Sequence, residues 1–292
     1  MHVTHLDVVI GSFTMDRYML FMYLGILVAS VGLPICRPKE YPFNRWMLFC
    51  IGIGVGLASF AGAHALHVII NFPRTKGIFF KALFSPLGFT YLGAPIGALI
   101  FLWVVAKLRR LSFWVVADFV VPFFMLERFV GRIGCMLWGC CRGKPTGLPW
   151  ACSWYGGPQV HPTQAYEMIY VAGIFVAARY IYAQAAAVRS LAFYFVLFSY
   201  SAFRFVNAFL RVEGPFMFHS ALKWAYPTFF ILAMIGYSGM AYALQRIPAE
   251  EGTMPAKKLM IGAAIRLIAA MCIAAAIILP VITFVLKGTL VR

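Results

Sequence analysis

Acid is scarce in this chain: nine Asp and Glu stand against 25 Lys and Arg among 292 residues, for a formal net charge of +16. Charge of either sign is also scarce, at 12% of residues, where soluble domains carry about 25%. With 63% of residues hydrophobic and a mean hydropathy of +0.85, a water-soluble globular fold is excluded, because it could not cover the apolar surface. The amino terminus lacks the basic start and apolar core of a secretory leader, reading Met-His-Val-Thr-His-Leu-Asp. No cleavable leader is therefore expected, and the first hydrophobic segment is expected to remain as a span. Repeats and low-complexity tracts are missing too, as is any aromatic–basic stripe outside the apolar segments. The excess of positive charge therefore points to anionic lipid and away from nucleic acid.

What is present in abundance is apolar runs near the roughly 20 residues that a bilayer requires. Spans are expected at about 18–36, 46–70, 87–106, 113–134, 164–184, 190–211, 222–244 and 259–286. The expected fold class is all-α, a polytopic membrane bundle of about seven to eight helices. Polar punctuation separates the runs, at Arg37-Pro-Lys-Glu-Tyr-Pro, Phe72-Pro-Arg-Thr-Lys-Gly, Lys107-Leu-Arg-Arg and Pro248-Ala-Glu-Glu-Gly. Cys140 to Pro162, rich in Cys, Gly, Pro and Trp, is too short for a domain and is expected to form an ordered extramembrane cap, at about 135–163. Residues 1–247 are expected to form one membrane domain, with 248–292 a linker and an added C-terminal helix. Basic loops at 37–45 and 107–110, with Arg246, Lys257 and Lys258, favour a cytoplasmic side for those loops; Arg74, Lys76 and Lys81 oppose them. The balance puts the amino terminus and the cap outside.

Ionisable residues within spans default to function, since each is costly in hydrocarbon. They cluster in the middle of the chain: Asp118, Glu127, Arg128 and Arg132 on the fourth span, Tyr166 and Glu167 opening the fifth, and Tyr200, Arg204, Asn207 and Arg211 on the sixth. Arg128 and Arg132 share a helix face and repel unless something negative meets them. The sixth-span residues follow a 4-3-4 spacing and form one stripe. Arginines outnumber carboxylates here, so internal ion pairing alone does not account for them; a bidentate oxyanion such as phosphate does. His64 and His67 read as interior histidines, since no carboxylate follows at ligand spacing. Gly52-Ile-Gly-Val-Gly56 reads as helix packing, and Arg266 as a snorkelling or locally paired side chain.

Several of these residues fall in ordered motifs. The chain reads Gly131-Arg132-Ile-Gly134-Cys135 through Gly143, then Leu148-Pro-Trp-Ala151, His161-Pro-Thr-Gln164-Ala-Tyr166-Glu167, and Tyr200-Ser-Ala-Phe-Arg204. Ile10-Gly11, Tyr18 and Gly25 precede them. In order and spacing, from about residue 10 to 245, the sequence resembles the prolipoprotein diacylglyceryl transferases. That family carries Gly-Arg-x-Gly-Asn-Phe-x-Asn-x-Glu, His-Pro-Ser-Gln-Leu-Tyr-Glu and Tyr-Gly-Ala-Phe-Arg. Departures from its pattern are specific. Leu92-Gly93-Ala94-Pro95, preceded by Tyr91, stands for His-Gly-Gly-Leu; Cys135 stands for the asparagine and Cys140 for the glutamate; Ala208, beside Asn207, stands for the glutamate after Phe-Arg. The eighth span exceeds the family's usual seven.

The resemblance implies a bacterial inner-membrane, multi-pass transferase that moves diacylglyceryl from phosphatidylglycerol, or a similar anionic phospholipid, to a prolipoprotein cysteine or a related acceptor. It implies a catalytic set of Arg132, Arg204, Glu167, His161 and Tyr91. Tyr18, Arg128, Gly131, Gly134, Gln164, Tyr166 and Tyr200 would line the lipid site. No cofactor is implied. A second reading is a non-catalytic phospholipid-binding or transport protein that retains the anion site; a third is a redox or metal protein built on the cap. Cys135, Cys140, Cys141 and Cys152 admit disulfides, a soft-metal site or a thiol intermediate. Disulfides are the expectation if the cap faces an oxidising compartment, because Cys-x4-Cys-Cys-x10-Cys lacks the paired spacing of zinc sites, and no metal is expected.

Overall fold

The computed structural model describes residues 8–10, 13–15, 17–70, 92–154, 157–184, 189–212, 219–247 and 255–288. Tyr91, Arg74, Lys76, Lys81 and the punctuation at 72–77 and 248–252 lie outside the described residues. A short antiparallel ribbon, β1 (Val8–Ile10) and β2 (Phe13–Met15), pairs Val8 with Met15 and Ile10 with Phe13. Hydropathy gave no sign of it. Eight helices follow among the described residues: α1 (Arg17–Ile35), α2 (Arg45–Ile70), α3 (Gly93–Leu108), α4 (Phe113–Trp138), α5 (Thr163–Gln184), α6 (Leu191–Leu210), α7 (His219–Gln245) and α8 (Ala256–Gly288). Each overlaps an expected span. Helices are what lipid permits here, since every backbone N–H and C=O must be satisfied within the segment.

Within α1, α2, α6, α7 and α8 lie stretches long and apolar enough to cross a bilayer, and α3 is a shorter apolar helix. Helix α4 fails that test because of Asp118, Glu127, Arg128 and Arg132, and α5 is diluted by Gln164, Glu167 and Arg179. Large apolar side chains face outward, Trp46 at 72% and Leu108 at 77% exposure among them, as lipid-facing surfaces do. The molecule is a multi-pass membrane protein.

The chain forms two compact units, one of Met1–Gly25 with Val121–Arg292 and the other of Ile26–Val120. In the second, α2 and α3 cross where a Cβ on Gly62 would strike Gly97 Cα at 2.8 Å and the Gly93 carbonyl. Absence of side chains lets these backbones touch. Tyr41 caps the same unit, donating to the Val115 carbonyl at 3.1 Å with its ring 4.3 Å from that of Phe119.

In the first unit α5 is the hub, with Ala165, Val171, Ile174, Ala177, Ala178 and Ile181 fully buried. The last helix packs on it: Ala274 and Ile278 of α8 join Ala165, Met168 and Ile169 in one cluster with Cys152, Trp154 and Val160 of the cap. Arg266 of α8 pairs locally, its guanidinium 3.8 Å from the Tyr180 ring centre and Nη1 donating to the Gly262 carbonyl at 3.2 Å. The cap is ordered by backbone bonds: Cys152 and Val160 exchange N–H···O bonds of 3.0 and 2.9 Å, and Lys144 N–H reaches the Leu210 carbonyl at 2.7 Å. Trp154 Nε1 ties it to α4 through the Met136 carbonyl at 2.8 Å.

Candidate active site

Glu167 sits in the second turn of α5 at 1% exposure. A carboxylate so placed must be paired and hydrogen-bonded, or it loses its charge. It is met from both flanking helices. Arg132 of α4 brings Nη2 to 2.9 Å from Oε1 and 2.7 Å from Oε2. Arg204 of α6 donates from Nη1 to Oε2 at 2.7 Å, and Tyr200, one turn earlier, donates to Oε1 at 2.9 Å. The 4-residue spacing of Tyr200 and Arg204 puts both on one face of α6, which is why the pair reaches one acid. The Phe229 ring of α7 lies 5.2 Å from the Arg204 guanidinium. Arg132 and Arg204 are 6% and 9% exposed.

Two guanidiniums thus share one carboxylate, and a second acid, Glu127, lies within electrostatic reach of Arg132. Arg128 is close enough for its charge to act on both Glu167 and Tyr18. Polar valence is left over. Arg132 Nε, Gln164 Oε1 and both amide atoms of Asn207 are buried with no hydrogen-bond partner among the described residues. Such atoms ordinarily have partners, so they mark where a polar ligand or water completes the site.

Of the twelve residues named from sequence, Arg132, Glu167, Tyr200 and Arg204 converge. His161 and Tyr166 form a separate link: His161 Nδ1 lies 3.2 Å from Tyr166 Oη, which accepts from Trp150 Nε1 at 2.8 Å. Gln164 donates through Nε2 to the Cys140 carbonyl, beside Thr163, whose hydroxyl donates to the Cys141 carbonyl. At Gly131 and Gly134 the structure favours packing over ligand lining: a Cβ there would meet Met22 Sδ at 3.0 Å and Phe21 Cβ at 2.8 Å of α1. Tyr18 lies on that same stretch of α1, its backbone against Gly134. Tyr91 is outside the described residues.

Cysteine corrects one expectation. Cys50, Cys135, Cys140, Cys141 and Cys152 are free thiols, and the side chain of Cys272 is not described. Cys152 is taken up by the apolar cluster under Trp154 and Val160, so it is not available to staple the cap. Burial pushes its thiol up to about 11. Cys135, Cys140 and Cys141 instead hold their sulfurs within 4.8 Å of one another. Hydrogen bonds from Cys135 and Cys140, with the charges of Arg132 and Arg211, hold Cys141 below the ordinary thiol value. Sequence reasoning missed Trp150 and Thr163 as supports; the available signals were an indole N–H in the Leu-Pro-Trp-Ala run and a hydroxyl within the His-Pro-Thr-Gln run. Arg211 leaves the α6 stripe, because the helix ends at Leu210 and Arg211 bridges to Gly143 of the cap.

The family model described as prolipoprotein diacylglyceryl transferase matches residues 6–244. A protein named phosphatidylglycerol–prolipoprotein diacylglyceryl transferase from Dehalococcoides mccartyi is 30% identical over 220 residues, covering 71% of this chain and 82% of that one. Proteins of the same name from Clostridium tetani and Mannheimia succiniciproducens are 33% identical over 155 residues and 36% over 128, covering 50% and 42% of this chain and 61% and 47% of their own.

Proposed function

This chain belongs to the prolipoprotein diacylglyceryl transferase family, and on that premise we propose that Arg132 and Arg204 hold the phosphate of a phosphatidylglycerol-like lipid while its diacylglyceryl group passes to a prolipoprotein cysteine. The observation that carries the reading is the pair of guanidiniums, from separate spans, on one shared carboxylate. In the transfer, the acceptor thiol gives up its proton, its sulfur bonds to the glyceryl carbon, and the C–O bond to phosphate breaks. Glycerol phosphate leaves with the electron pair. The leaving oxygen gains negative charge as the bond lengthens, and preorganised cations in a dry site stabilise that change most.

Glu167 fixes both guanidiniums and Tyr200 fixes Glu167, so these two position rather than touch the lipid. Arg132 Nε, Gln164 Oε1 and Asn207 supply the hydrogen-bonding capacity left for headgroup oxygens. Arg128 extends the positive field toward α1, where Tyr18 offers its hydroxyl to the ester or glycerol oxygens. His161, coupled to Tyr166, is the base for the thiol, with Tyr91 the other candidate. The enzyme works in a bacterial cell membrane. The non-catalytic alternative is not favoured by the named relatives.

The test is incubation of purified protein with phosphatidylglycerol labelled in its acyl chains and a lipobox peptide. Label on the peptide together with free glycerol phosphate is the expected result. Glycerol phosphate without labelled peptide would assign another acceptor, and no release would sink the enzymatic reading.

A further inference from the structure

Three sulfurs sit beside the guanidinium centre without a part in the transfer just described. Cys135 is in the last turn of α4, and Cys140 and Cys141 follow the turn that ends it. Gly139 at φ 69° and Cys141 at φ 62° take the left-handed conformation, which doubles the chain back so that both later thiols face Cys135. Glycine adopts that conformation freely, whereas cysteine does so at a cost of about 1 kcal/mol or more. The strained turn is held from outside, since the carbonyls of Cys140 and Cys141 accept from Gln164 and Thr163 at the start of α5. Two of the three cysteines stand where the family pattern has asparagine and glutamate, and both replacements arrive at the same point.

The three Sγ atoms lie within 4.8 Å of one another. A metal bound at about 2.3 Å by three thiolates in a plane needs sulfurs about 4 Å apart. The preformed triangle is therefore close to a coordination site and needs little rearrangement. Its charge is also accommodated. Arg132 Nη1 donates to Cys135 Sγ at 3.4 Å, and Arg211 lies within electrostatic reach of Cys141. Three thiolates around a divalent ion carry a net single negative charge, which those cations offset.

A covalent role fits the chemistry poorly. Diacylglyceryl transfer to an enzyme thiol would form a thioether, whose C–S bond does not readily break to pass the group on. We propose that Cys135, Cys140 and Cys141 form a binding site for a soft, thiophilic metal ion of the zinc or cadmium class, held by three thiolates with a fourth position open to water. Binding releases the protons that the thiols still carry and forms three metal–sulfur bonds, with no change of oxidation state. The occupied site presents an anionic sulfur to Arg132, so the metal positions the guanidinium that holds lipid phosphate. That consequence rests on the proposed transferase reading; the site itself does not.

The experiment uses the full chain purified in detergent without a histidine tag and kept reduced with a phosphine. Cadmium chloride is titrated in, and ultraviolet sulfur-to-metal absorption is followed together with alkylation of each cysteine by peptide mass spectrometry. One cadmium per chain, with Cys135, Cys140 and Cys141 protected together while Cys36 and Cys50 remain reactive, is the expected result. Cys140→Ser is expected to weaken binding by on the order of 100-fold and to expose Cys135 and Cys141, whereas Cys152→Ser leaves it unchanged. Equal protection of Cys36 and Cys50, or no protection of the cluster, would overturn the site. The wild-type protection pattern decides the matter even if the Cys140 variant fails to fold. It does so independently of turnover, so failure of the transferase assay and failure of the metal site remain distinguishable.

Discussion

Helices α2 and α3, in one unit, and α5, α6 and the part of α4 from Val121 onward, in the other, solve the same packing problem by opposite means. Lipid tails are as apolar as leucine, so helices in a bilayer gain nothing from hiding apolar surface from water. The α2–α3 crossing removes side chains, at Gly62, Gly93 and Gly97, and lets backbones touch. The α4–α6 group does the reverse, inserting two arginines and one glutamate and binding the helices through them. The first device can only pack. The second packs and also gathers two guanidiniums on one carboxylate, an arrangement that a substrate phosphate can join. Substitutions in the first should therefore move stability, and substitutions in the second should move stability and turnover together or turnover alone.

The largest effect is expected at Glu167. Replacing it by alanine strands two buried guanidiniums, and removal of one partner from a buried ion pair costs about 3–5 kcal/mol. Glu167→Ala should lose transfer activity altogether and unfold at lower temperature in detergent, as followed by circular dichroism. Near-native melting for this variant would show that the arginines have other anions and that the carboxylate does not hold the helices.

Next comes Arg204→Lys, which keeps the charge but loses the planar fork. Turnover should fall by about 100- to 1,000-fold, the cost of one preorganised donor to a developing oxyanion. Melting should change far less than in Glu167→Ala. The loss belongs in kcat more than KM, because the interaction strengthens as the leaving phosphate gains charge. A change confined to KM would reassign Arg204 to ground-state lipid binding.

How much of this was legible beforehand follows the same division. Apolar run length alone located the helices, because lipid leaves the backbone no other option. Helix α4 runs on to Trp138 rather than stopping near 134, since Gly134 is followed by Met136, Leu137 and Trp138 and no breaker intervenes. The Arg132–Glu167–Arg204 centre was legible from the excess of arginine and the 4-residue spacing on α6. The partners of Gly131 and Gly134 were not, because a missing side chain says that something approaches and not whether it is a helix or a lipid. The thiol state of the cap was not legible either. It depends on where Cys152 ends up, and that is decided by packing with Trp154 and Ile278 rather than by spacing.

On the α2–α3 side, Gly62→Leu is expected to cost about 1–3 kcal/mol through overpacking, because its added atoms meet backbone that cannot rotate away. Specific activity per folded molecule should stay within about 2-fold of wild type, on the view that a shift of this kind reports folding and not chemistry. A loss of turnover by the folded fraction as large as that of Arg204→Lys would erase the contrast between the two regions.

The smallest effect is expected at Tyr166→Phe, and it sharpens the comparison inside the polar region itself. Tyr166 and Glu167 are neighbours on α5, yet they face different partners, Glu167 the two arginines and Tyr166 the link from Trp150 to His161. Losing the hydroxyl should cost about 1 kcal/mol, the net worth of an ordinary hydrogen bond. With His161 as the base, turnover should fall by about 5-fold, the rate equivalent of that bond. Purified variant and wild type compared in the transfer assay would show it. Unchanged turnover in Tyr166→Phe, together with full turnover in His161→Gln, would remove the cap from the proton transfer and leave Tyr91 as the remaining candidate, with the guanidinium centre untouched.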